Sequence, residues 1–145
     1  MRKITDIISK PSQALQAGVD GLRAQDARPG FCVSMSTYGV EINGICFGCL
    51  ATCALQQLAE KNLGPGDILG TWWRAKALGF EQEDVNRFEI VMDLAREGDL
   101  RGLFRFFGLP PEEVPACEWR LLQANWREQL PAVEKTIEEL RQNGY

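Results

Sequence analysis

Apolar residues recur at intervals of three and four along most of the chain and at intervals of two in one short region, so the pattern is mainly helical with a little strand. Pro11-Ser-Gln-Ala-Leu-Gln-Ala-Gly18 predicts a helix starting near Pro11, because proline is tolerated in a first helical turn; its apolar positions are sparse. Arg28-Pro29-Gly30 marks a turn. Phe31 to Thr37 then alternates larger apolar groups with smaller or polar ones, which predicts a strand. Val40-Glu-Ile42 and Ile45-Cys-Phe47 flank Asn43-Gly44, the pair best suited to a type I′ turn, where both central residues need positive φ.

From Cys49 to Lys61 the spacing is helical again, stopped by Asn62-Leu-Gly64-Pro65-Gly66. Asp67 is placed to cap a helix over Ile68 to Leu78, ended by Gly79. Glu81 to Glu97 carries Val85, Phe88, Val91, Met92 and Ala95 on one face, acids in its first turn and Gly98 beyond its end. A short helix from Asp99 to Phe107 ends at Gly108, and Pro110-Pro111 starts a new direction. The last stretch sets Trp119, Leu122, Trp126, Leu130, Val133, Ile137 and Leu140 at intervals of three and four, with Pro131 expected to break or kink it. The fold expected is mainly α: a compact bundle of about five to seven helices with a small β-hairpin near residues 31–47, in a single domain over residues 1–145.

Charge divides this pattern into zones. Residues 29 to 59 carry only Glu41, yet hold four of the five cysteines, so this segment must be buried in the core or under a partner. The whole chain has net charge −4, which removes any general attraction to phosphate backbones; nucleic acid is not an expected partner. The longest charge-free run, Ile42 to Ala59, contains Asn43, Thr52, Gln56 and Gln57 and falls short of a membrane span. Asp6 and Lys10 interrupt any signal-peptide core, and five cysteines leave one over from any pairing. The expected setting is therefore cytoplasmic, with reduced thiols and no membrane.

The chain has no histidine. That removes the usual serine or cysteine triad, histidine zinc ligands, and the one side chain that titrates near neutrality unperturbed. A carboxylate, thiolate or lysine remains available as a base, so an enzyme is the less favoured class rather than an excluded one.

One cluster has chemical content: Cys46-Phe-Gly-Cys49-Leu-Ala-Thr-Cys53. A Cys-x-x-Cys whose second half opens a helix has the local arrangement of thioredoxin-like redox motifs, where the helix N-terminus stabilises a thiolate. The resemblance covers four residues, and the surroundings read helical where those domains need a sheet. For a metal, a fully helical 46–53 would separate its outer Cα atoms by roughly 10 Å, too far for one ion. With Cys46 on a strand the three thiols could converge, with Cys32 or Cys117 as a fourth ligand. Against both stands cysteine's habit of packing as a small hydrophobe, here among Phe47, Leu50, Ala54 and Leu58.

Gly39 and Gly44 have the outer spacing of a P-loop, but Ile45-Cys46 stands where Lys-Ser/Thr is required. Arginine recurs beside aromatics, as in Trp72-Trp73-Arg74 and Phe104-Arg-Phe-Phe107, which amphipathic packing accounts for. If Ile68, Trp72 and Ala75 face inward, Trp73 points about 100° away from them. If Leu100, Leu103, Phe104 and Phe107 face inward, Phe106 lies off that face beside Gly102, bordered by Arg101 and Arg105. The functional expectation is a small cytosolic interaction or regulatory protein, non-enzymatic and without cofactors, that binds a protein partner or a second copy through Trp73, Phe106, Arg101 and Arg105. The alternative is a thiol-redox or metal-binding protein centred on Cys46, Cys49 and Cys53.

Overall fold

The computed structural model describes residues 1–145. After a 3-10 turn at Ile4–Asp6 come α1 (Pro11–Asp26), three short strands, β1 (Phe31–Val33), β2 (Val40–Ile42) and β3 (Ile45–Gly48), then α2 (Leu50–Ala59), α3 (Thr71–Leu78), α4 (Gln82–Ala95), α5 (Arg101–Phe106) and α6 (Trp126–Gln142). The architecture is mainly α with one small sheet, as the pattern predicts. The buried apolar side chains form a single cluster that draws on every helix. No helix is long and apolar enough to cross a membrane.

The helix whose apolar positions are sparse is nonetheless deeply packed. α1 buries Ala14, Leu15, Ala17, Gly18, Val19, Gly21 and Leu22 and packs on α2, α6 and β1. Its small residues are the reason. A β-carbon on Gly21 would collide with the Cys53 carbonyl group, and one on Gly18 would come 2.7 Å from Leu50 Cδ1. Side-chain volume is thus traded for close approach of two backbones. Gln13 Oε1 accepts hydrogen bonds from the Ser9 and Lys10 amides at 2.7 and 3.1 Å and so fixes the entry into α1.

The strand region is more than a hairpin. Asn43 and Gly44 have φ of 52° and 81°, and β2 and β3 pair antiparallel around them, as predicted. The strand expected to run to Thr37 stops at Val33, however, and pairs with β3 in parallel, giving the order β1-β3-β2. The Ser34 amide still donates to the Gly48 carbonyl at 2.8 Å, and the outer edge of the strand is met by a side chain. Gln123 accepts from the Met35 amide and donates to the Val33 carbonyl, both at 2.9 Å, so a distant segment satisfies this edge.

Two further expectations change. The final helix begins at Trp126, so Trp119 and Leu122 precede it in irregular chain; Trp119 is buried there, its indole N–H donating to Thr136 Oγ1 at 2.9 Å, and Leu122 is exposed. Pro131 does not break α6, which runs on to Gln142. Leu130, Val133, Ile137 and Leu140 bury one face on both sides of the proline, and that continuous burial offsets the missing amide hydrogen bond.

Candidate interaction surface

The three cysteines of the central cluster lie on three different backbone settings. Cys46 is on β3, Cys49 is the residue that caps α2, and Cys53 sits one turn into that helix, its amide bonding back to the Cys49 carbonyl at 3.0 Å. All three are buried and unpaired by disulfides. No group of three or more cysteine, aspartate or glutamate side chains converges in a way that could hold a metal ion. Burial pushes all three thiols up from their ordinary pKa, Cys53 furthest; the Arg28 charge pulls Cys46 and Cys53 the other way, and hydrogen bonds from Thr52 oppose the shift at Cys49. A nucleophilic thiolate needs the opposite shift and access to solvent. All three belong to the apolar core, with Cys53 at the α1–α2 seam where its backbone meets Gly21.

The surface of α3 is decided by one charged residue. The chain enters through a 3-10 turn at Pro65–Asp67, where Asp67 accepts from the Gly64 amide at 3.2 Å instead of capping the next helix. α3 therefore starts at Thr71, with Gly70 in the capping position, three residues later than the pattern predicts. Arg74 points inward. Only 3 % exposed, it binds Glu89 of α4, itself 1 % exposed, through Nε–Oε2 at 2.9 Å and Nη2–Oε1 at 3.0 Å, and it donates to the Ile68 carbonyl at 2.7 Å. Thr71 Oγ1 donates to the same carboxylate at 3.2 Å. Burial raises the Glu89 pKa, and the hydrogen bonds and charge of Arg74 oppose that rise.

With Thr71, Arg74, Ala75 and Leu78 facing the interior, both tryptophans face out. Trp72, expected on the inward face, is 45 % exposed, and Trp73 is 51 % exposed. Their rings meet edge to face at 4.5 Å and 81°, with Lys76 Nζ 4.8 Å from the centre of the Trp72 ring. Leu69, just before the helix, is also exposed. Sequence reasoning missed Leu69 and Trp72. The available signal was Gly70, a residue suited to the entry of a helix, which shifts the helical register past Ile68.

α5 also presents a different side from the one expected. Gly102 faces α4: a β-carbon there would lie 3.2 Å from Val91 Cγ1. Phe106, on the same side as Gly102, is consequently only 8 % exposed, packed on Phe88 at 5.6 Å with the Arg87 guanidinium 5.2 Å from its ring centre. Phe107 is the half-buried one of the pair. Arg101 is exposed and bonded to Asp99 at 3.0 Å, while Arg105 is exposed with no carboxylate partner. Trp73 and Phe106 thus belong to separate features, one on the outer side of α3 and one in the floor of an α4–α5 groove.

No protein-family model, no curated protein and no solved structure matches the chain.

Proposed function

We propose that this protein acts by binding another protein, without chemistry of its own, and that Leu69, Trp72 and Trp73 form the central contact. The observation that carries this reading is a contrast among the four tryptophans. Trp119 and Trp126 are 5 % and 2 % exposed, whereas Trp72 and Trp73 stand adjacent and half in solvent, with Leu69 beside them in sequence. Large aromatics clustered at the surface are the residue type that carries most binding energy at protein interfaces. A contact dominated by two indole rings and a leucine, with Lys76 as its one nearby charge, fits a protein surface better than a phosphate backbone, and the chain's charge of −4 adds to that preference. A cytosolic setting belongs to the same reading, since an odd number of cysteines with three buried as thiols suits a reducing compartment.

A photo-reactive amino acid placed at Trp73 in cells, with a control at Glu113, tests the proposal. One discrete cross-linked protein at position 73, absent at 113 and lost when Trp72→Ala is added, supports it. Cross-linking only to a second copy makes the surface a self-association interface. Equal patterns from both positions overturn it.

A further inference from the structure

α4 and α5 enclose a groove of about 250 Å³ lined by Arg87, Ile90, Val91, Gly102, Arg105 and Phe106. It lies on residues separate from Leu69, Trp72 and Trp73, and its chemistry is different. The floor is apolar, made by Val91 and Phe106, where Gly102 lets α5 close on Val91 of α4. The rim carries two arginines and no acid. Neither Arg87 nor Arg105 has a carboxylate within the 4.0 Å of an ion pair, although five other arginines on this acidic chain, at positions 23, 74, 96, 101 and 127, are each paired at 3.0 Å or less. Arg87 is held over Phe106, its guanidinium carbon 5.2 Å from the ring centre, and lines the same groove. Ile90, half exposed, borders the same opening.

We infer that this groove binds a peptide segment of a partner protein in which a carboxylate side chain stands close to a leucine- or phenylalanine-sized residue. An apolar floor with guanidinium groups on its rim suits an apolar side chain next to a carboxylate. The apolar residue packs on Val91, Phe106 and Ile90. The carboxylate pairs with Arg105, Arg87 or both, accepting two parallel N–H hydrogen bonds from a guanidinium. A segment of a partner protein fits better than a second copy because the chain's net charge of −4 repels its own kind.

Selection of a short random peptide library displayed on phage, with wild-type protein as bait and the Arg87→Glu/Arg105→Glu double variant as counter-bait, tests this inference. Both arginines border solvent, and a melting curve of the double variant verifies its fold. Peptides that keep an Asp or Glu within one helical turn of Leu, Phe or Trp are expected to emerge. Their affinity should fall about tenfold or more in the double variant, and less in Arg105→Lys, which keeps the charge and loses the fork. Affinity should also fall in Ile90→Glu and stay unchanged in Trp72→Ala/Trp73→Ala, which separates the groove from the α3 surface. Peptides without acids, binding undiminished in the double variant, preference for phosphorylated versions over their carboxylate counterparts, or no enrichment against the counter-bait would each overturn the assignment.

Discussion

α2 buries its first seven residues, Leu50 to Gln56, four of them alanine, cysteine or threonine, while α3, the next helix along, leaves the two largest side chains it has half in solvent. The difference lies in what holds each helix to the rest. α2 is held by proximity: Gly21 of α1 lies against the Cys53 backbone and Gly18 against the Leu50 side chain, so the two helices meet almost backbone to backbone. α3 is held by a charge. The Arg74–Glu89 pair with its added bonds to Ile68 and Thr71 ties the helix inward, and what remains of its circumference is free to carry tryptophan. Apolar composition is therefore a poor guide to which helix is core and which is surface here. The nature of the tether decides it.

The seam is the place where a single atom group should cost most. Gly21→Val is expected to lose roughly 4 kcal/mol or more of stability, because the collision is with backbone and cannot be relieved by a rotamer change. Gly18→Ala meets only the flexible end of Leu50 and should cost distinctly less. Urea titration of both variants checks this, and equal effects would remove proximity as the account of the seam.

The tether of α3 should come next. Arg74→Leu leaves a buried carboxylate without its partner and is expected to cost about 3 to 4 kcal/mol, with much of it recovered in Arg74→Leu/Glu89→Leu. Burial already raises the Glu89 pKa, and removing the arginine raises it further, so the folded variant holds its proton more tightly than the unfolded chain. The stability it contributes is present below the ordinary carboxylate range and lost as pH rises through the folded pKa. The deficit of Arg74→Leu should therefore shrink on acidification, which a melting series against pH measures.

The buried thiols sharpen the contrast at alkaline pH. Cys46, Cys49 and Cys53 have folded pKa values above their unfolded ones, so their contribution is complete below the ordinary thiol range and falls as pH rises past it. Native thiol titration should accordingly label exposed Cys32 first and reach these three only with unfolding. Rapid native labelling of Cys49 would revive the redox reading.

The smallest stability effect is expected at the tryptophans. Trp72→Ala and Trp73→Ala should each change stability by less than about 1 kcal/mol while weakening any association, because each ring is half in solvent. Melting curves paired with sedimentation check both halves. A large loss of stability would mean that α3 depends on its outer face after all.

The sequence by itself determined the class of fold, most helix positions, and the turn at Asn43-Gly44, because each rests on a local rule: a period of three to four, a proline that opens a helix, a glycine that closes one, two adjacent residues that tolerate positive φ. It also marked the cysteine segment as buried from its lack of charge, whereas its placement of Trp73 off the inward face assumed an inward Trp72 that the structure turns out. What depended on partners far along the chain was hidden. The inward turn of Arg74 requires Glu89, the early end of β1 requires Gln123, the start of α6 after Trp119 requires Thr136 to receive the indole, and the burial of Phe106 requires Gly102 to lie against Val91. A hydrophobic pattern assigns an arginine to solvent and a pair of adjacent aromatics to opposite fates. Only the tertiary structure supplies the buried carboxylate that draws the arginine in and turns both tryptophans out, since that depends on the free energy of a charge pair between two helices and not on the periodicity of either.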